Sequence, residues 1–502
     1  MIFDGVASKI VRTDICIVGS GIGGGTIAKY LSESNCEISI IEAGGLEKGT
    51  SKVSYESVGR DFGLRTTTAI QVGGTSNLWH GVLAPLDPID FKPRHWIAHS
   101  GWPISFEELQ PFYHCAAGFL NVEKPNYFSL DKLSNQMKAK LSDVDFSKDH
   151  MKHKVFQQPL PPLNFKDVVV DVCKMSESHH LYYNSAALEL VSKGNKIESL
   201  KIGNLDGSIS VIDADIFIIA SGALETPRLL LNSNIDNDNI GRFLMDHPMG
   251  NLCQMELKTP RKAPIYTDLK YSKNMKLKVG FELLDHIQEE LSFPNHCFYL
   301  RPSFIKGINN NSEKIKMALL SFRDGKVSGS DILNLIRNPN AIRQILTYKF
   351  SLDVTLKYAD LFFVTEQTPN PDSRVSLSQT TDFWGYKRSM VDWRVSEGDI
   401  QSMKLFFELL LDDLFDSSNC SFTHSIKDFD WENTYTSAVH HVGTARMGLN
   451  RNYSVVDKNL KSFDRENLYI CDGSVFSTAG NVNSGLTISA LAIRLASHLL
   501  ST

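Results

Sequence analysis

Two polar tracts near the C-terminus carry the residue types that acid–base chemistry needs. His440-His-Val-Gly-Thr-Ala-Arg-Met-Gly448 supplies two adjacent imidazoles. Forty-three positions after His440 comes Asn483, inside Asp472-Gly-Ser-Val-Phe-Ser-Thr-Ala-Gly-Asn-Val-Asn-Ser-Gly-Leu-Thr487. An imidazole with its ordinary pKa of ~6.5 is neutral near pH 7 and can accept a proton. An amide NH2 can donate to an oxygen on which negative charge is growing. Taken singly, the plainer readings are a core histidine and a loop or helix cap. Taken with a nucleotide loop at the opposite end of the chain, the pair points to removal of a hydride from an alcohol.

That loop must be positioned by a strand and a helix, and both are legible. Asp14-Ile-Cys-Ile-Val18 reads as a buried β-branched strand running into Gly19-Ser-Gly-Ile-Gly-Gly24, which opens the helical pattern Thr26 to Leu31. Gly19 suits the tight turn, Gly21 a close backbone approach to a pyrophosphate, and Gly24 close packing of helix on strand. The helix N-terminus offers unpaired N–H groups to phosphates. Glu37 to Ile41 reads as the next strand and ends on Glu42, twenty-three residues beyond Gly19. A carboxylate there accepts from ribose hydroxyls and repels an NADP-type phosphate. FAD and NAD share this fold, so the loop alone leaves both open.

The 502 residues allow two or three domains and enough core to enclose a cofactor. A formal net charge of −5 argues against a nucleic-acid partner. Residues 1 to 13 lack the apolar stretch of a signal peptide, and no apolar run approaches the ~20 residues that span a bilayer. The eight cysteines stand singly, without Cys-x-x-Cys spacing, so neither a disulfide framework nor a zinc or other metal site is expected. These features together predict a cytoplasmic protein.

Residues 64 to 90 have little periodicity and read as a loop, whose Gly73-Gly-Thr-Ser-Asn77 centre can turn backbone N–H groups toward a flavin edge or a phosphate. Strands are predicted at Ala187–Val191, Ile197–Ile202, Ser208–Ile212 and Asp215–Ala220, the last running into Ser221-Gly-Ala-Leu-Glu-Thr-Pro-Arg-Leu-Leu-Leu231. From about 251 to 434 aromatic residues increase, with Phe362, Phe363, Trp384, Tyr386 and Trp393 in or beside strand-like stretches. Residues 331 to 350 read as two amphipathic helical pieces broken at Pro339.

In this order the motifs resemble the glucose-methanol-choline (GMC) family of FAD-dependent oxidoreductases. The resemblance rests on Gly19 to Gly24 with Glu42, Gly73 to Trp79, Ser221 to Leu231, Gly241-Arg-Phe-Leu-Met-Asp-His-Pro248, Asn370 to Ser378 and the C-terminal tract. It implies an α/β fold: a Rossmann-like FAD domain from residues 1–90, 155–250 and 435–502, and an antiparallel substrate domain from 91–154 and 251–434. It selects His440, three residues before Gly443-Thr444, as general base, and places the second catalytic position on Asn483. Gly19, Gly21, Gly24, Glu42, Gly74, Thr75, Asn77, Leu188, Asp472, Gly473, Asn483 and Thr487 are the implied cofactor contacts. Leu78 stands where some members link the flavin to histidine, so non-covalent FAD is expected, with His80 displaced by two positions. Asn483-Ser484 departs from the usual Asn-Pro.

The reaction implied is proton abstraction by His440, stabilisation of the alkoxide by Asn483 and hydride transfer to flavin N5. Trp79, Arg94, Trp96 and Ser100-Gly-Trp-Pro103 resemble the sugar- and glycoside-oxidising members such as pyranose oxidase-like enzymes, which favours a polyhydroxylated small-molecule substrate. Oxygen or another molecule would reoxidise the flavin. The alternatives are a redox-neutral FAD lyase of the same family and a nicotinamide-dependent dehydrogenase.

Overall fold

The structure, a computed structural model, describes the chain apart from residues 48, 50, 60–63, 123–127, 130–132, 134–148, 263–268, 271, 304–320, 322–324, 326, 338, 340–354, 411–419, 423–434 and 502. Strand Ile10–Val18 is apolar where it is buried and lies at the centre of an eight-stranded sheet. It pairs in parallel with Ile38–Ile41 on one side and Ile209–Ile219 on the other. Outward from Ile38–Ile41 follow His179–Tyr183 and Ile2–Asp4, also parallel. Burial on both faces explains the continuous Ile-Cys-Ile-Val and Ile-Ser-Ile-Ile runs.

The two strands expected at Ser208–Ile212 and Asp215–Ala220 are one, Ile209–Ile219. Its first half pairs antiparallel with Lys196–Asn204 and its last three residues pair in parallel with Leu468–Ile470. The break expected at Asp213-Ala214 is carried through by the parallel partner Ile10–Val18, whose Arg12 and Thr13 pair with Asp213 and Ala214. Leu468–Ile470 is also what brings the C-terminal tract to the edge of the nucleotide loop: Cys471 N–H donates to Ile219 C=O at 2.8 Å.

A second, mostly antiparallel sheet is ordered Leu269–Lys270, Met275–Leu283, His296–Ser303, Thr355–Thr365, Pro248–Lys262, Cys420–Phe422. Met151–Pro159 joins it by pairing with Met275–Leu283, so the boundary expected at residue 155 lies inside a strand. A three-stranded sheet of Arg374–Thr381, Lys387–Trp393 and Tyr55–Gly59 completes the sheets. The mixed α/β class with a dinucleotide sheet and an antiparallel second sheet matches the sequence expectation. Within 64 to 90 there are three short helical turns, Leu64–Thr67, Gly74–Leu78 and Pro88–Phe91, too short for periodicity to reveal. Of the pieces expected in 331–350, the first lies in helix Gly329–Ile336 and the second falls outside the described residues. No helix among the described residues is long and apolar enough to cross a membrane.

Candidate active site

The three fingerprint glycines meet different surroundings. Gly19 has φ +100°, a conformation that disfavours any side chain. A Cβ on Gly24 would stand 1.9 Å from Gly19 O, so helix Ile22–Tyr30 approaches the loop as closely as backbone allows. A Cβ on Gly21 would meet nothing within 4 Å, and Gly21 caps the helix with no side-chain acceptor. The N–H groups of the first turn are therefore presented to open space, the arrangement that holds phosphate.

Glu42 is buried and ties two glycine loops together. Its Oε2 accepts from Ser20 N–H (3.1 Å) and Ser20 Oγ–H (2.6 Å), its Oε1 from Gly44 N–H (2.9 Å). Ser20 Oγ in turn accepts from Gly73 N–H at 2.9 Å. Burial pushes the Glu42 carboxyl above its ordinary range, with those donors opposing. Asn77 braces the second loop by donating to Val72 and Gly74 C=O (3.0 and 2.8 Å), while Thr75 Oγ1 accepts from Ala69 N–H. Gly74 comes so near that its Cβ would lie 3.1 Å from Gly21 Cα. Two glycine loops, a helix N-terminus and a buried carboxylate fit a dinucleotide such as FAD.

Four other expected contacts are held by protein partners. Asp472 accepts from Gly222 N–H (2.8 Å), Thr226 Oγ1–H (2.6 Å) and Ser474 N–H (2.7 Å), so its carboxylate organises the loop after Ile219. Gly473 C=O accepts from Gly443 N–H at 3.0 Å, and a Cβ there would strike His441 O. Thr487 Oγ1 is 2.9 Å from Tyr113 OH, and its N–H belongs to the first turn of helix Gly485–Ser501, where no intrahelical acceptor is available. Leu188 is buried at the bulge in Ser185–Lys193, between Ala187 and Glu189.

The candidate pair is assembled from two loops. His440 Nε2 lies 2.8 Å from Asn483 Nδ2. Gly443 to Met447 is laced to 473 to 475 by three backbone bonds, which fixes one loop on the other. Gly443 has φ +99° and sits against Phe243 O, while Thr444 Oγ1–H donates to Ala223 C=O at 2.7 Å; the Gly-Thr pair thus serves geometry, not proton transfer. Val439, just before His440, holds φ +64°, an outlier for a β-branched residue.

The two imidazoles diverge. His440 faces Asn483, whereas His441 Nε2 lies 3.5 Å from Asp246 Oδ2. Asp246 also accepts from His440 N–H (3.0 Å), His247 N–H (2.6 Å) and Ser437 Oγ–H (2.5 Å). Burial, then the His247 ring 5.2 Å away, drives the His440 pKa down to about 3 against the pull of Asp246. Burial lowers His441 as well, with Asp246 opposing. The neutral imidazole is the form a base requires.

Beneath the pair lies a buried ionic cluster. Arg94 makes a two-pronged contact with Glu366 (2.7 and 2.5 Å), and Lys154 lies 2.5 Å from Asp87. Asn295 donates to Asp87 and Asp90 (3.0 and 3.1 Å) and, through its N–H, to Glu366 (2.8 Å). Four acids, Asp87, Asp90, Glu282 and Glu366, face two bases, Arg94 and Lys154, with Lys152 at the rim. Burial, then Glu366 and Asp87, pushes Asp90 up to about 8; burial, then Asp87, pushes Glu282 up to about 7.

Two family models match the chain, both described as GMC oxidoreductase, over residues 167–249 and 369–492. The chain is 22% identical to the fructose dehydrogenase large subunit of Gluconobacter japonicus, over 86% of this chain and 80% of that one. It is 21% identical to 2-methyl-1,2-propanediol dehydrogenase of Mycolicibacterium austroafricanum, over 97% and 95%. Among solved structures, pyridoxine 4-oxidase from Mesorbium loti superposes with TM-score 0.60 at 16% identity, covering 97% of this chain and 99% of that one. The chain belongs to the GMC oxidoreductase family. By class it is an FAD-dependent alcohol oxidoreductase.

Within this GMC chain the sequence reading overlooked several residues that hold the site: Ser20 between the glycine loops, Asp246 under the histidine doublet, and Glu282 and Glu366 in the ionic cluster. Asp246 was inside a quoted motif, and its adjacency to His247 was the available signal. Trp79, Arg94, Trp96 and Trp102, read as sugar-type features, are engaged structurally: the indoles donate to Leu163 O, Phe293 O and Thr478 Oγ1, and Arg94 pairs with Glu366.

Proposed function

We propose that this protein oxidises the CH–OH group of a polyhydroxylated small molecule, a sugar, glycoside or related polyol, with His440 as base and Asn483 as oxyanion donor. The observation that carries the reading is the 2.8 Å contact between His440 Nε2 and Asn483 Nδ2. A neutral Nε2 offers a lone pair, and the amide N–H points at it. A hydroxyl entering between them takes over both contacts: its hydrogen goes to Nε2, and its oxygen accepts from Asn483. As the proton moves, the negative charge left on that oxygen meets a donor already in place, the kind of preorganisation that accelerates most. Asp246 holds the His440 backbone throughout. Bound FAD supplies the acceptor for the carbon-bound hydride.

Support for a substrate with more than one hydroxyl comes from relatives named for fructose and for a propanediol. The test is an anaerobic screen in which the yellow protein meets sugars, glycosides, aminocyclitols, diols and simple alcohols. Bleaching strongest with polyhydroxylated compounds is expected. No bleaching with any alcohol would overturn the reaction, and bleaching by simple alcohols alone would overturn the substrate class. Admitting air, then artificial acceptors, tells oxidase from dehydrogenase.

FAD is proposed to be held without a covalent bond, because Leu78 occupies the linking position. Acid precipitation should leave the yellow colour in the supernatant. Colour retained in the pellet would refute it.

A further inference from the structure

Asn481 lies two residues before Asn483 and is 1% exposed. Its Nδ2 donates at 2.8 Å to Glu282 Oε2 and at 2.8 Å to Asn295 Oδ1. The amide oxygen has no hydrogen-bond partner among the described residues. Turning the amide over would point that oxygen at a carboxylate and a second amide oxygen, so the two acceptors fix its orientation. Val482, next in the chain, sets its backbone beside the His247 ring. Asn483 then reaches His440. Three consecutive residues are thus held by three different segments: strand Met275–Leu283, the residue before strand Pro248–Lys262, and the His440 loop.

Glu282 lies near the end of strand Met275–Leu283. It is buried, bonded through Oε2 to Asn481, and flanked by Lys152 (3.4 Å from Oε1) and Lys154 (3.9 Å from Oε2). The same network reaches the other catalytic residue by another route. Asn295 N–H donates to Glu366, whose neighbour Gln367 accepts from Asp246 N–H at 3.0 Å and from Trp393 Nε1–H at 2.7 Å. One side of the ionic cluster therefore steadies the amide and the other the histidine.

We infer that Glu282, through Asn481, is a positioning residue that sets Asn483 opposite His440. The inference rests on the reading of Asn483 as oxyanion donor. A displacement of about 1 Å in such a donor costs up to ~100-fold in rate, so a buried acceptor under the loop has a large lever.

The test is a double-mutant cycle on the FAD-loaded protein with Glu282→Ala, Asn481→Leu and the double variant, plus Glu282→Gln. Glu282→Ala and Asn481→Leu should each slow flavin reduction at saturating alcohol by about tenfold or more, with alcohol affinity changed by less than about threefold. Glu282→Gln keeps an acceptor oxygen and should stay within about threefold of wild type. The double variant should be no slower than either single one. Melting needs no substrate and, at pH 8.5 where Glu282 is ionised, should show the same non-additivity, a coupling of at least about tenfold in the unfolding equilibrium for a hydrogen bond to a charged group.

Additive melting effects, or an Asn481→Leu variant that reduces flavin at the wild-type rate, would overturn the inference. If Asn481→Leu does not fold, equal rates in Glu282→Ala and Glu282→Gln would do so. A wild-type protein silent toward every alcohol with melting coupling intact would instead sink the reaction, so the two failures are distinguishable.

Discussion

The nucleotide end and the proposed catalytic end of this molecule are built in opposite ways. Around Gly19 to Glu42 the working groups are backbone N–H groups and one carboxylate, placed by a strand, a turn and a helix that follow one another in the chain. Around His440 and Asn483 the working groups are side chains on two irregular loops, held by Asp246, Glu282, Glu366 and Gln367 from segments between 70 and 200 residues away. The first site is mostly local; the second depends on a buried polar network in which a missing partner leaves another group unsatisfied.

If that contrast is right, damage at the catalytic end should reach the reaction while leaving FAD in place. The largest effect is expected for His440→Ala, which should slow flavin reduction by about 100- to 10,000-fold, whereas His441→Ala, turned toward Asp246, should be milder. Stopped-flow reduction of both variants decides it, and a reversed order would give the base to His441. Because the folded His440 is held near 3, its neutral form persists as pH falls from 8 to 5, and the reduction rate should show no loss centred on ~6.5. The linkage has a definite sign. This histidine's contribution to stability is complete above ~6.5 and is lost as pH falls from there toward 3.

Asn483→Ala comes next. A loss of ~100- to 1000-fold in the same half-reaction is expected for one oxyanion donor. A variant that reduces flavin normally would make the amide a loop brace.

At the nucleotide end the expected damage is to binding. Glu42→Ala should weaken FAD retention by about 10- to 100-fold, the value of charge-assisted hydrogen bonds, with the reduction rate of the loaded fraction near wild type. Unchanged affinity on equilibrium dialysis would remove Glu42 from the cofactor site.

The smallest effect concerns the cluster. A carboxyl raised to about 8 holds its proton in the folded state but not in the unfolded one, so Asp90 lowers stability as pH rises from ~4 to 8. Asp90→Asn should flatten that slope, raising the Tm by roughly 1 to 3 °C at pH 8.5 relative to pH 6, measured against wild type. A parallel pH dependence in both proteins would place the stored proton elsewhere, with Glu282 the next group to test.

Where the chain is regular, the sequence reading and the fold agree. The run Ile-Cys-Ile-Val, the glycine spacing and Glu42 specify a strand–turn–helix–strand unit through steric and solvation rules that act within forty residues. Where a distant partner carries a strand past polar residues, or short helical turns interrupt a polar stretch, sequence and fold differ: Asp213-Ala214 passes through a strand because Arg12 and Thr13 of Ile10–Val18 pair with it.

By itself, then, the sequence determined the dinucleotide loop, the candidate pair His440 and Asn483, and the family to which their order belongs. Only the tertiary structure decided which way each imidazole of the doublet faces, that Asp472 and Thr487 are bound to protein partners, and that Glu282 lies beneath Asn483's loop. The physical reason is range. Backbone geometry and hydrophobic periodicity are written residue by residue, whereas a buried polar group's partners are chosen by whichever distant segments the packed core brings within about 3 Å of it.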